Sequence, residues 1–264
     1  MAPSIGLAIT TFNRCEQLFR LISGIRRYCN RDIHLAVFDD GSIDSTSERI
    51  PPLVDMYLRA PNAGITINKN RALYYFLALR PVDQVFLLED DVEVISSRWL
   101  SSWSKAVERH GHINLSDPAW PREGRKFFGG RGTADSPEIW NSVTGACMAS
   151  DAAVLRSCVG YLNPRFAGYG FEHIEWTRRF IKNGYGGYRR RGGRWSYYML
   201  SAGMVFQPSQ SSRDAISIAR NAEVMAELDG VGDYVSKPWL DEEGRRAFLA
   251  PFARWWGHQG RQKA

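Results

Sequence analysis

Cysteine is scarce. The chain has four (Cys15, Cys29, Cys147, Cys158), with no C-x-x-C pair and no metal-finger spacing, which reads as reduced thiols in a cytoplasmic protein. No long hydrophobic run is present. Apolar residues near the start extend only from Ile5 to Ile9, broken by Gly6, far short of a signal segment or a spanning helix. Internal repeats and low-complexity tracts are missing. So are a G-x-x-x-x-G-K-[ST] loop and a G-x-G-x-x-G fingerprint after a strand, which argues against P-loop and dinucleotide sites. Acidic residues vanish from Trp176 to Arg213, a stretch that carries Arg178, Arg179, Lys182, Arg189, Arg190, Arg191, Arg194 and Arg213. Such a stretch suits an anion, whether a diphosphate, an acidic acceptor or a membrane surface, or else forms a solvated basic face. No nucleic-acid partner is expected.

What is present centres on Val85-Phe-Leu-Leu followed by Glu89, Asp90 and Asp91. The short uninterrupted apolar run reads as a strand buried on both faces, as in a parallel sheet. Three carboxylates at its end repel one another unless a cation sits among them. Oxygen ligands suit Mg²⁺ or Mn²⁺, with open positions left for phosphate oxygens. The alternative is an acidic loop in solvent.

Strand and helix alternate through about the first 110 residues. Ile5–Thr10 reads as a strand, then a helix capped by Asn13 carries Leu18, Leu21, Ile22 and Ile25. His34–Phe38 is a second strand ending in Asp39-Asp40-Gly41-Ser42. Ser45 and Glu48 form a capping-box pair, Val54–Leu58 a third strand, and Asn62-Ala-Gly leads into a helix with Asn68-Lys-Asn-Arg71. Trp99–Val107 is amphipathic. The alternation predicts an α/β fold, a doubly wound, mostly parallel central sheet flanked by helices. Polar clusters at Thr10–Thr11, Asp39–Asp40 and Glu89–Asp91 then converge on one sheet edge, where open α/β folds bind ligands.

The second half is less regular. Asp117 to Glu138 is a long loop rich in Pro and Gly, among them Pro118 and Pro121. Residues 141–148 read as a strand, Asp151 as a helix cap, and Glu172-His173 as the start of a helix ending at Gly184. Gly203–Phe206 is a last strand and Ala215–Leu228 a helix. The tail from Trp239 mixes Phe248, Phe252, Trp255 and Trp256 with arginines. It docks on the domain's own surface or a partner subunit, or lies on anionic lipid, and Pro251 is expected to interrupt any helix there. The predicted division is a nucleotide-binding half at 1–115, an acceptor-binding and catalytic half at 116–212, and a helical tail at 213–264.

In order, the chain carries Ala8-Ile-Thr-Thr-Phe-Asn-Arg14, Phe38-Asp-Asp-Gly-Ser42, Asn62-Ala-Gly64 with Asn68-Lys-Asn70, Glu89-Asp-Asp91, Thr144-Gly-Ala-Cys-Met148 and Gly168-Tyr-Gly-Phe-Glu-His173. Over residues 4 to 184 this resembles a GT-A-fold glycosyltransferase of the family 2 type. The resemblance implies transfer of a sugar from a nucleoside-diphosphate sugar, UDP-linked, to a saccharide hydroxyl by single displacement. It implies that Thr10, Thr11, Asp39 and Lys69 hold the nucleoside, with Asp39 accepting from the base's imide N–H. Asp90 would contact the ribose or the metal, Asp91 would be the main ligand of Mn²⁺ or Mg²⁺, and Gly145 would let the backbone approach the donor sugar.

The family's usual catalytic Glu-Asp pair is Glu172-His173 here, so the base is Glu172, His173 or Glu175 one turn on. Many relatives place a metal-binding His where this chain has Gln207. Trp176, Tyr185, Tyr188, Trp195, Tyr197, Tyr198 and the arginines around them suggest an acceptor site for an anionic or lipid-diphosphate-linked saccharide. Work at the inner membrane face would follow. A sugar-nucleotide-binding protein without catalysis and a metal-dependent adhesion module, whose D-x-S-x-S signature fails at Asp44, are the competing readings.

Overall fold

The computed structural model describes residues 2–29, 31–116, 124–207 and 214–262, with side chains to residue 257. Pro118, Pro121 and Arg213 lie outside the described residues. The elements are β1 (Ile5–Thr11), α1 (Cys15–Tyr28), β2 (His34–Asp39), α2 (Thr46–Arg49), β3 (Met56–Arg59), α3 (Ile65–Tyr74), β4 (Gln84–Glu89), β5 (Val92–Val94) and α4 (Trp99–His110). Then follow β6 (His112–Leu115), β7 (Phe127–Gly129), β8 (Glu138–Trp140), β9 (Cys147–Asp151), α5 (Ala152–Val154), α6 (Glu172–Lys182), β10 (Gly187–Arg189), β11 (Trp195–Leu200), β12 (Met204–Phe206), α7 (Ala215–Glu227) and α8 (Glu242–Gln262).

One sheet runs β3-β2-β1-β4-β9-β6-β11-β8-β7, with β10 hydrogen-bonded to β11. Strands β3, β2, β1 and β4 are parallel, and β9 enters antiparallel between β4 and β6. Both faces are covered. Leu7 and Ile9 of β1 and Phe86 and Leu88 of β4 pack with Leu18, Leu21, Trp99 and Trp103 on one side. Ala8, Val85 and Leu87, one residue out of step, pack with Leu73, Phe76, Trp176 and Phe180 on the other. Alternate residues of a strand point to opposite faces, so a strand apolar at every position needs helices on both.

Three local expectations are corrected. Residues 141–146 are not strand, and β9 begins only at Cys147. Asn13 and Ser45 do not cap with their side chains; instead Asp44 accepts from the N–H of Cys15 at 3.0 Å and of Thr46 at 3.1 Å, serving two helices from one loop. Pro251 sits inside α8 without ending it. An interior proline costs about 3 kcal/mol, but Phe248 and Phe252 are buried against Tyr74, with Trp239 beside Phe248. Burying each phenylalanine contributes about 1.5–3 kcal/mol, enough to hold the turn.

Candidate active site

Parallel register fixes where the polar strand ends meet. Thr11 pairs with Asp39 and Thr10 with Glu89, so the ends of β1, β2 and β4 share one rim. A cleft of about 380 Å³ opens there, lined by Thr10, Thr11, Phe12, Arg14, Asp40, Asn62, Gly64, Asn68 and Glu89 to Asp91 from the first half of the chain, and by Gly168, Tyr169 and Asp214 from the second.

Every carboxylate of this rim has a cation beside it. Glu89 Oε1 accepts from Lys69 Nζ at 2.6 Å. Asp40 Oδ1 accepts from Arg71 Nη1 at 2.9 Å and from the Ala63 N–H, and its Oδ2 accepts from the Gly64 N–H. Arg14 Nη1 lies 3.0 Å from Asp90 Oδ1 and 3.4 Å from Asp91 Oδ2. Thr11 Oγ1 donates to Asp90 Oδ2 at 2.8 Å. Burial nevertheless pushes the Asp90 carboxyl up to about 7, against the pull of Arg14 and Thr11.

Glu172 and His173 stand just behind this rim. The chain enters α6 through Gly168, Gly170 and Phe171, all at positive φ (70°, 97° and 73°). A phenylalanine there is strained, and such strain gathers at functional sites. Glu172 Oε1 lies 3.1 Å from His173 Nδ1 and 3.5 Å from Lys69 Nζ. Burial alone would raise the Glu172 carboxyl, but His173 and Lys69 outweigh it and bring it down to about 2. The carboxylate is therefore ionised at neutral pH and can only accept. Nδ1 must carry the hydrogen, and the lone pair of a neutral His173 ring is left on Nε2. A Cβ on Gly145 would meet the His173 ring at 3.0–3.1 Å, so the missing side chain is what lets the imidazole approach. Lys69 Nζ also donates to Gly145 O at 3.2 Å, tying that turn to Glu89.

Several sequence-derived placements change. Asp39 does not line the cleft: it is fully buried, with Oδ1 accepting from the Ser42 N–H and Oδ2 from Tyr57 OH. Its neighbour Asp40 forms the cleft wall, because adjacent residues at a strand end point to opposite sides. Lys69 is 0% exposed and held by Glu89, Gly145 O and Glu172. It is therefore a strut inside the wall and not a surface group. Glu175 is committed to Arg179, at 2.7 and 2.9 Å, and to the Gly232 N–H, which removes it as a base.

The basic aromatic region lies away from the cleft. Strand β11 is parallel to β6 and ends at Leu200 beside Leu115, on the cleft rim. Its start at Trp195, paired with Arg189, is thus on the opposite rim. Trp176 is core and donates to Gly160 O, and the Tyr197 hydroxyl accepts from Arg178. Strand direction thus separates the acceptor site expected at these rings from the cleft. Asn62, Tyr169 and Asp214 took no site role in the sequence reading, since each belongs to the cleft only through folding.

Among the described residues no group of three or more His, Cys, Asp or Glu side chains is arranged to hold a metal. Hard cations need fewer when phosphates complete the shell. Gln207, whose backbone N–H donates to Asp91 O at 2.7 Å, has a buried Oε1 with no hydrogen-bond partner among the described residues. An oxygen acceptor lacking a donor, on the residue bound to Asp91, fits the oxygen-rich surroundings of Mg²⁺ or Mn²⁺.

No family model matches the chain. It is 28% identical over 150 residues to the GalNAc(5)-diNAcBac-PP-undecaprenol beta-1,3-glucosyltransferase of Campylobacter jejuni, a match covering 52% of this chain and 46% of that protein. The chain thus spans about half the length of the curated relative it matches. Among solved structures it is similar to GalNAc-T7 with UDP, GalNAc and Mn²⁺, at a TM-score of 0.65 and 11% identity, over 94% of this chain and 50% of that one. It is also similar to S. aureus TarS in complex with UDP-GlcNAc, at a TM-score of 0.54 and 13% identity, over 79% of this chain and 60% of that one. The sheet order, the rim where its strand ends meet and these likenesses agree: the chain has the GT-A glycosyltransferase fold.

Proposed function

We propose that the protein transfers a sugar from a UDP-sugar to a hydroxyl of a lipid-diphosphate-linked saccharide by a single inverting displacement. The observation carrying this reading is the Glu172–His173 pair, held against Gly145 and joined through Lys69 to Glu89 on the cleft rim. The nucleoside lies along Thr10, Thr11 and Asn62. Asp40, and not Asp39, accepts from the base's imide N–H: a carboxylate has about four acceptor sites, three are used by Ala63, Gly64 and Arg71, and the remaining one is on Oδ2. Residues 1–115 serve the donor and 116–212 the acceptor, with 213–264 as the supporting tail.

His173 Nε2 takes the proton of the acceptor hydroxyl while that oxygen bonds to the anomeric carbon. The bond from that carbon to the diphosphate oxygen breaks, and its electron pair leaves with the diphosphate. Glu172 orients the ring and offsets the charge the imidazole acquires. Asp91, with Asp90 beside it, would hold a divalent cation, which supplies compensation for charge developing on the diphosphate. The polyprenyl-diphosphate acceptor named for the Campylobacter relative motivates the acceptor class. Such an acceptor would bring the protein to the membrane face. No described helix is long and apolar enough to cross a membrane, and the tail's Phe248 and Phe252 are spent in the core.

A thermal-shift panel of nucleotide sugars with and without Mn²⁺ tests the donor assignment, with selective stabilisation by UDP-sugars expected. Transfer to a saccharide diphosphate acceptor, with the product anomer read by NMR, tests the chemistry. Absence of any nucleotide effect, or unchanged transfer in His173→Ala, removes the proposal.

A further inference from the structure

Among the described residues, Lys69, Arg71 and Arg14 pair with the carboxylates at the strand ends, and they are not equivalent. Lys69 is 0% exposed and has three oxygen partners. Arg71 is 3% exposed and bonds Asp40, Asn68 and Pro61 O. Both are locked in the wall. Arg14 lines the cleft, its side chain is 27% exposed, and one nitrogen, Nη1, makes both its contacts, the second at 3.4 Å. Nε and Nη2 have no hydrogen-bond partner among the described residues. The fork that pairs best with phosphate is therefore still available.

Two further features bear on Arg14. It occupies the N-cap position of α1, where the helix dipole disfavours a cation and favours an anion. It also sits between Asp90 and Asp91, the carboxylates that a divalent ion would need. A guanidinium and a divalent ion cannot share those oxygens without strong repulsion at such short range.

Building on the proposed donor site, we propose that Arg14 is an exchangeable counter-ion. It holds Asp90 and Asp91 before the donor arrives, yields them to the divalent cation that comes with the nucleotide, and passes to the donor's diphosphate. Metal entry and donor capture are then one coupled event. The cation alone binds poorly because it must displace an arginine that has nowhere better to go. With the diphosphate in place, Arg14 exchanges two carboxylate contacts for phosphate oxygens, and the leaving diphosphate gains a second positive neighbour.

The test measures Mn²⁺ binding without nucleotide, and UDP binding at saturating Mn²⁺, by calorimetry on the wild type, Arg14→Gln and Arg14→Lys. Thermal unfolding confirms that each variant is folded. Arg14→Gln should bind Mn²⁺ alone at least about tenfold more tightly and UDP at least about tenfold more weakly, each the effect of one charge-assisted contact. Arg14→Lys should keep Mn²⁺ affinity low, since the charge remains. Weaker UDP binding without tighter Mn²⁺ binding would make Arg14 a plain phosphate ligand and overturn the exchange. Tighter Mn²⁺ binding with unchanged UDP affinity would overturn the transfer to phosphate. If the wild type itself ignores UDP, the donor site falls, and this inference with it; if the wild type binds UDP and Arg14→Gln matches it in both measurements, only this inference falls.

Discussion

Glu172 Oε1 and His173 Nδ1 lie 3.1 Å apart on consecutive residues, so a carboxylate and the imidazole it orients come from a single turn of α6. Truncating the ring should separate chemistry from binding. His173→Ala is expected to lower the rate constant for transfer by about 10²–10⁴, the usual contribution of a general base, while UDP affinity stays within about twofold. Steady-state kinetics beside equilibrium binding of UDP make the comparison. A loss confined to KM would place His173 in ground-state binding instead.

Lys69 joins the carboxylate strand to the catalytic helix, with Nζ 2.6 Å from Glu89 and 3.5 Å from Glu172. Lys69→Met leaves Glu172, buried, without that partner, and breaking a buried pair on one side costs about 3–5 kcal/mol. Urea unfolding should show a correspondingly lower midpoint. A variant of unchanged stability whose loss lay in UDP affinity would return Lys69 to the nucleoside site.

An added Cβ on Gly145 would sit 3.0–3.1 Å from Cβ, Cγ and Nδ1 of His173, too close for the ring to stay in place. Gly145→Ala should displace the imidazole by a few tenths of an ångström and reduce turnover about tenfold or more, since small misplacements of a reacting group are costly. Melting temperature should move little. Equal activity in both proteins would show that the ring position is not critical.

His112 is fully buried against Phe180, with Ser150, Asn114 and Thr177 around its nitrogens, and burial brings its pKa down from 6.5 to about 3. Between those values the unfolded chain binds the proton and the folded one does not, so stability rises with pH through the window. It is complete above about 6.5 and falls away on acidification toward about 3. The partly buried His34 and His110 are shifted in the same direction. Urea midpoints at pH 7.5 and 5.0 should therefore drop for the wild type and drop less for His112→Asn. Parallel losses in the two proteins would count against His112 as a source of the acid sensitivity.

Periodicity carried the first half of the fold. The short uninterrupted apolar run Val85–Leu88 reads as a strand covered on both sides, and the spacing of Leu18, Leu21, Ile22 and Ile25 as one helix face, and both pack so. The second half was less legible because its strands are short and mixed in direction. Residues 141–146 make only scattered backbone bonds among the described residues, Asn141 to Lys126 and Ala146 to Glu89, and the Pro251 helix forms because aromatic side chains far away in sequence receive it. Of the site, the motif residues at the ends of β1, β2 and β4 were legible as a cluster. Which of the adjacent carboxylates Asp39 and Asp40 faced the cleft was not, because strand-end orientation depends on pairing register.

By itself the sequence determined that acidic and hydroxyl side chains would end parallel strands, since local pattern sets strand identity and parallel strands finish on one edge. Tertiary structure alone decided that Asp40 rather than Asp39 meets the cleft, that Lys69 is a buried strut, and that the arginine-rich hairpin faces the other rim. Those outcomes rest on strand direction and on contacts between residues up to 103 positions apart, such as Lys69 with Glu172. Charge pairs at that separation form only once the sheet has brought their strands together, and no local pattern encodes them.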